Sequence, residues 1–152
     1  MSIRPCRAWL AAGIGAIVLM GCSGIPRRSD NETLQRYQAY AGEPVDRITY
    51  LGRYDGWVAL GRYDLVVWTT LNDAYLITVL PPCENLPFAN RIGLTSTAGQ
   101  VSARFDNVLV RGWKCRIKEI RPVDYKRLRQ DMRQDMREKD QKKAQDEAAG
   151  AH

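Results

Sequence analysis

The spacing of apolar positions changes along the chain, and each change predicts a different element. Ala8 to Met20 is a stretch of thirteen residues rich in Ala, Ile, Leu and Val, with no charge inside it. Leu34, Tyr37 and Ala41 then recur at helical spacing, one face of a predicted helix. Its start is marked by Ser29-Asp30-Asn31-Glu32, a capping box in which the Ser29 hydroxyl accepts an exposed backbone N–H and Glu32 reaches back to the cap residue. Gly42 is expected to supply a left-handed stop, and Pro44 forbids continuation.

From Val45 to Pro122 the pattern becomes short runs of β-branched and aromatic residues between turn signals, the mark of an antiparallel β domain. Val45 to Tyr54 reads as a strand ending at Asp55-Gly56, a two-residue hairpin signal, with Trp57 to Leu60 returning. Leu65 to Thr70 and Ala74 to Leu80 form a second hairpin around Leu71-Asn72-Asp73, stopped by Pro81-Pro82. Further strands are predicted near Ile92 to Thr95, Val101 to Phe105, Asn107 to Arg111 and Lys114 to Ile120. Leu51-Gly52-Arg53-Tyr54-Asp55 recurs as Leu60-Gly61-Arg62-Tyr63-Asp64. The offset is too short for a solenoid unit and reads as two similar strand ends entering turns.

Beyond Pro122 the helical period returns. Asp124 caps a charged helix whose Tyr125, Leu128, Met132 and Met136 make a narrow apolar seam, able to dock on the sheet or on a partner. Arg129-Gln130-Asp131-Met132 repeats as Arg133-Gln134-Asp135-Met136. A four-residue repeat drifts by only about 40° per copy, so Arg129, Arg133 and Arg137 share one face and Asp131 and Asp135 lie nearly opposite. The plainer reading is a solvated helix laced by pairs such as Asp135 with Lys139 and Glu138 with Lys142. Ala148 to His152 is expected to fray.

These elements together predict a mostly β, α+β fold: a small antiparallel barrel or sandwich of about 6 to 8 strands with an N-terminal helix and a charged C-terminal helix. At 152 residues the chain holds one domain of ordinary size. Its first segment is too short for a bilayer-spanning helix, which needs about 20 apolar residues. With Arg4 and Arg7 before it, it has the form of a targeting signal. Leu19-Met20-Gly21-Cys22 resembles the lipobox of bacterial lipoproteins. The resemblance implies a diacylglycerol on the Cys22 thiol, cleavage of Gly21-Cys22 and acylation of the new amine. The expected division is a signal peptide at 1–21, a lipidated cysteine and tether at 22–28, a β-rich domain at 29–123 and a helical tail at 124–152. Ser23 stands where an aspartate would tend to retain a lipoprotein at the inner membrane. The resemblance therefore implies the outer membrane, facing the periplasm, with the periplasmic face of the inner membrane as the alternative. A tether of six residues spans about 20 Å at most, which keeps the domain close to the lipid.

Removing Arg4 and Arg7 from the 23 basic residues leaves 21 against 17 acidic ones, a net of +4. So mild an excess is not the signature of a nucleic-acid binder. With Cys6 in the signal and Cys22 lipidated, Cys83 and Cys115 remain, and an oxidising compartment would pair them. A redox-active pair and two metal ligands are the alternatives; Cys-x-x-Cys spacing is absent, and the only histidine is the terminal His152. That histidine count also removes the Ser-His-Asp and Cys-His mechanisms, and no Gly-rich phosphate loop is present. Carboxylate catalysis would draw on Asp46, Asp55, Asp64, Asp73, Glu84 and Asp106, most of which sit where turns already explain them. A non-enzymatic protein without cofactor or metal is the expectation.

One strand carries a functional hint. Lys114-Cys115-Arg116-Ile117-Lys118 alternates, which sends Cys115 and Ile117 inward and lines Lys114, Arg116 and Lys118 outward, with Arg111 and Arg121 extending the patch. Such a stripe suits anionic lipid, a glycan or an acidic envelope protein. Basic residues on an exposed strand also discourage pairing by other chains, which is the blander account. A structural role in envelope integrity and a carboxylate-based hydrolase or transferase are the other classes considered.

Tyr40-Ala41-Gly42-Glu43-Pro44-Val45, Val67-Trp68-Thr69, Ala74-Tyr75-Leu76, Pro82-Cys83, Ile92-Gly93-Leu94-Thr95-Ser96, Phe105-Asp106 and Cys115-Arg116-Ile117 complete the picture. With the lipobox, they make the chain resemble an uncharacterised family of small proteobacterial lipoproteins, a domain of unknown function, over roughly Asp30 to Asp124. The resemblance implies two structural cysteines and no transferable catalytic residue, and it leaves the charged helix outside.

Overall fold

The computed structural model describes residues 30–149. The expected signal at 1–21, Cys22 with its expected tether, the expected Ser29 cap and the last three residues lie outside the described residues. Helix α1 (Asp30–Ala39) is followed by β1 (Arg47–Thr49), β2 (Gly56–Ala59), β3 (Asp64–Trp68) and β4 (Ala74–Val79). A short 3-10 turn, Leu86–Phe88, then precedes β5 (Ile92–Leu94), β6 (Gln100–Ser102), β7 (Asn107–Val110), β8 (Trp113–Val123) and helix α2 (Tyr125–Ala149). All strand pairs are antiparallel. They form a six-stranded sheet in the order β2-β3-β4-β8-β7-β5 and a two-stranded sheet of β1 and β6. The large sheet curls into a half-barrel, so the fold is α+β, as the patterning predicted.

Two apolar clusters hold it, one on each face of the curled sheet. Leu65, Val67, Ile77, Val79, Val108, Val110, Ile117 and Ile120 point inward and meet Ile48 and Val101 of the small sheet and Leu86 of the 3-10 turn. On the outer face Val66, Ala74, Leu76 and Val123 pack against Tyr37 of α1 and Leu128 of α2. Strand β3 is thus buried on both sides, which is why Leu65, Val66 and Val67 are consecutive apolar residues.

Several expectations are corrected by long-range packing. Asp55-Gly56 is not a hairpin turn: β1 pairs with β6 through Ile48↔Val101, and the Asp55 N–H donates to the Trp68 carbonyl at the start of the β2–β3 ladder. Burial of Ile48 and Val101 beneath the sheet overrides a local turn preference. The two Leu-Gly-Arg-Tyr-Asp copies accordingly differ. The first is a connector with Leu51 exposed, and the second is the β2–β3 turn with Leu60 buried. Gly42 does not adopt a left-handed conformation; α1 ends on i→i+3 bonds from the Tyr40 and Ala41 N–H groups, and the Gly42 N–H donates to the Pro122 carbonyl. The β3–β4 hairpin stands where it was predicted, closed by the Thr69 N–H on the Asp73 carbonyl.

Candidate functional site

Strand β8 organises the site. Its first half pairs with β7 and its second half with β4. The register shifts between Val79↔Ile117 and Thr78↔Glu119, leaving Lys118 as an extra, bulged residue. The bulge lets both Ile117 and Ile120 face the inner core, so the alternation holds from Lys114 to Lys118 and is then re-phased. Lys114, Arg116 and Lys118 are exposed on the outer face. Their cross-strand neighbours are Leu109, opposite Lys114, and Asn107, opposite Arg116. No residue of β5 or β7 belongs to the helix-side cluster, so this half of the outer face is bare.

At the root of this half, Arg111 and Gly112 both have positive φ, 48° and 89°, and form the two-residue β7–β8 turn between Val110 and Trp113. Arg111 is exposed at the tip. The structure therefore brings Arg111, Lys114, Arg116 and Lys118 onto one strand pair. Arg121 is placed differently: its Nε donates to the Gly42 carbonyl at 2.8 Å and its Nη2 to the Ala41 carbonyl at 3.4 Å. Half-buried there, and 4.0 Å from Glu119, it ties the end of α1 to β8. Sequence reasoning passed over Arg104, whose Nη2 donates to Asp46 at 2.8 Å and whose carbonyl accepts from Arg116 Nη1 at 3.4 Å. It also passed over Trp113, 64% exposed, and Phe88, 71% exposed. The signal for Trp113 was its place beside a glycine turn at a strand start.

Cys83 and Cys115 are joined in a disulfide with Cα atoms 5.6 Å apart, inside the usual range for such a bridge. Both are buried, so the bond fastens the segment after β4 to β8 just inside the basic stripe. A cavity of about 230 Å3 beside it is lined by Pro82, Glu84, Asn85 and Trp113 together with the two cysteines.

Asp46, Asp64, Asp73 and Asp106 carry structural bonds. Asp106, buried in the β6–β7 turn, accepts from the Thr95 hydroxyl and the Ser102 N–H, both at 2.7 Å. Asp64 accepts from the Thr78 hydroxyl and Asp73 from the Thr70 hydroxyl, each at 2.7 Å. Asp46 and Glu119 line one open cleft, and each is ion-paired to an arginine. Among the described residues no three His, Cys, Asp or Glu side chains gather as a metal set.

Helix α2 docks over its first turns and then runs free. Asp124 caps it, accepting the Arg127 N–H at 3.1 Å. Leu128 is fully buried, Met132 partly so, and from Met136, 57% exposed, onward the helix is exposed all round. Asp131 accepts the Tyr40 hydroxyl and Asp135 pairs with Arg36, which clamps α2 to α1. The Trp68 ring meets Tyr37 and Tyr125 edge-on, at centroid distances of 6.3 and 5.5 Å. Burial there pushes the Tyr37 phenol up to about 12, with the neighbouring Tyr125 adding to it. The hydrogen bond to Asp131 raises Tyr40 as well.

Fold and site together define a helix-covered antiparallel half-barrel that offers a basic, solvent-facing strand. The chain matches the model of a family of unknown function, DUF6491, over residues 5–140, and belongs to that family. The match reaches beyond Asp124 and takes in most of the charged helix, which is therefore a family feature. No curated protein and no solved structure matches the chain. No helix among the described residues is long and apolar enough to cross a membrane.

Proposed function

We propose that this protein is a lipid-anchored envelope protein, held at Cys22 on the periplasmic face of the outer membrane, that acts by binding and not by catalysis. The signal-like segment, the lipobox-like Leu19-Met20-Gly21-Cys22 and the following Ser23 support the anchor and its location. The observation that carries the binding role is the bare outer half-sheet. There Lys114 and Lys118 have no ion-pair partner among the described residues, and Arg116 touches only a backbone carbonyl. Charges left unpaired on a rigid, disulfide-fastened strand pair are set to meet an anionic envelope component. Structural duties for Asp46, Asp64, Asp73 and Asp106 support the non-catalytic reading.

Reversing Lys114, Arg116 and Lys118 to glutamate abolishes capture of the anionic partner while leaving the melting temperature unchanged; undiminished capture refutes the binding role. Cys22→Ser loses palmitate labelling and membrane fractionation; a variant that keeps both refutes the anchor.

A further inference from the structure

We propose that the β7–β8 hairpin tip is a second membrane-contact point, inserting Trp113 at an anionic phospholipid surface and so orienting the domain. This rests on the anchored reading above and names the partner of its basic strand. Trp113 begins β8 in the inward phase shared by Cys115 and Ile117, yet it projects past the core and stays largely in solvent. Phe88, in the 3-10 turn, is likewise exposed and lies four residues before Ile92, which opposes Val110 next to the β7–β8 turn. Arg111 and Lys114 flank Trp113 along the chain and Arg91 precedes Ile92, all three exposed, and Glu84 lines the same cavity as Trp113. An amphipathic indole flanked by cations matches the headgroup layer, where tryptophan settles and phosphates attract lysine and arginine.

The fold also sets this tip at the same end of the sheet as the start of α1. Trp68, Ala74 and Val123 form one cross-strand row at the end of the sheet remote from the tip. Tyr37 and Tyr125 both abut Trp68, and Ala41 bridges to Val123, so α1 finishes and α2 begins at that remote end. The pairs Arg36–Asp135 and Tyr40–Asp131 set the helices antiparallel. Leu34, one turn before Tyr37, packs on the cluster that holds Leu60 at the far end of β2. The N-terminus of α1 therefore points to the end of the sheet that carries the β2–β3 turn and the β7–β8 hairpin. Asp30, the first described residue, stands toward the same end of the sheet as Trp113.

The test uses the mature protein reconstituted in vesicles of phosphatidylethanolamine and phosphatidylglycerol with brominated acyl chains, reading tryptophan emission. Trp57 and Trp68 are half-buried, so Trp113→Phe removes at least half of the lipid-dependent quenching. In phosphatidylcholine vesicles, or with Arg111→Glu and Lys114→Glu combined, the Trp113 component falls at least threefold. Equal quenching in wild type and Trp113→Phe overturns the contact, and indifference to lipid charge overturns its anionic character. A photo-crosslinker at position 113 that captures only protein overturns it in favour of a protein partner. Palmitate labelling of the same sample separates the two readings. Labelled but unquenched protein refutes the tip alone, and quenched but unlabelled protein refutes the anchor alone.

Discussion

In β3, β4 and the last part of β8 both faces of the sheet are covered, whereas in β5, β7 and the first half of β8 only the inner face is. The covered half reads as consecutive apolar residues and carries the helices; the bare half alternates and carries the charges. Buried on both sides, Val66 and Leu76 contribute to cohesion and leave nothing for a ligand. Lys114, Arg116 and Lys118 contribute almost nothing to cohesion and are available. One antiparallel sheet thus separates stability from the proposed recognition along its width, with β8 crossing from one regime to the other at the Lys118 bulge.

The largest expected effect would break the bare half. Replacing Cys83 and Cys115 together with alanine opens the bridge across 32 residues of sequence and lowers stability by about 3.5 to 4 kcal/mol, read by urea unfolding. Next, Leu128→Ala in the covered half costs about 3 kcal/mol and exposes α2 to proteolysis, while Leu109→Ala on the bare outer face costs under about 1 kcal/mol. Equal costs would erase the distinction. A smaller effect appears only in alkali. The Tyr37 phenol goes from 10.0 to about 12 on folding, so its contribution is whole below pH 10 and is lost as pH rises through 12. Tyr37→Phe should therefore flatten the alkaline limb of the stability profile. Smallest of all, the Lys114, Arg116 and Lys118 reversal shifts unfolding by no more than about 0.5 kcal/mol, and a large loss would mean that the stripe is structural.

Much of the covered half was legible because its signals are local. The β3–β4 hairpin follows from two apolar runs around Leu71-Asn72-Asp73, and the start of α2 follows from Asp124 and the Tyr125-Leu128-Met132 seam. The stripe was legible as alternation on β8. Arg121 was not, because a residue cannot announce that a bulge three positions earlier has re-phased its strand. Nor could Asp55-Gly56 reveal that β1 leaves for β6, since Val101 lies far along the chain.

Local patterning by itself determined the antiparallel β class, the two helices and the basic strand, because each depends on residues a few positions apart, and the count of remaining cysteines gave the candidate disulfide. Tertiary structure alone decided which half of the sheet the helices cover, that Arg121 serves the fold, and that Trp113 and Phe88 stand exposed. Those outcomes depend on which apolar surfaces meet across the whole chain, and burial of Ile48, Val101 and Leu128 selects among pairings that are locally equivalent.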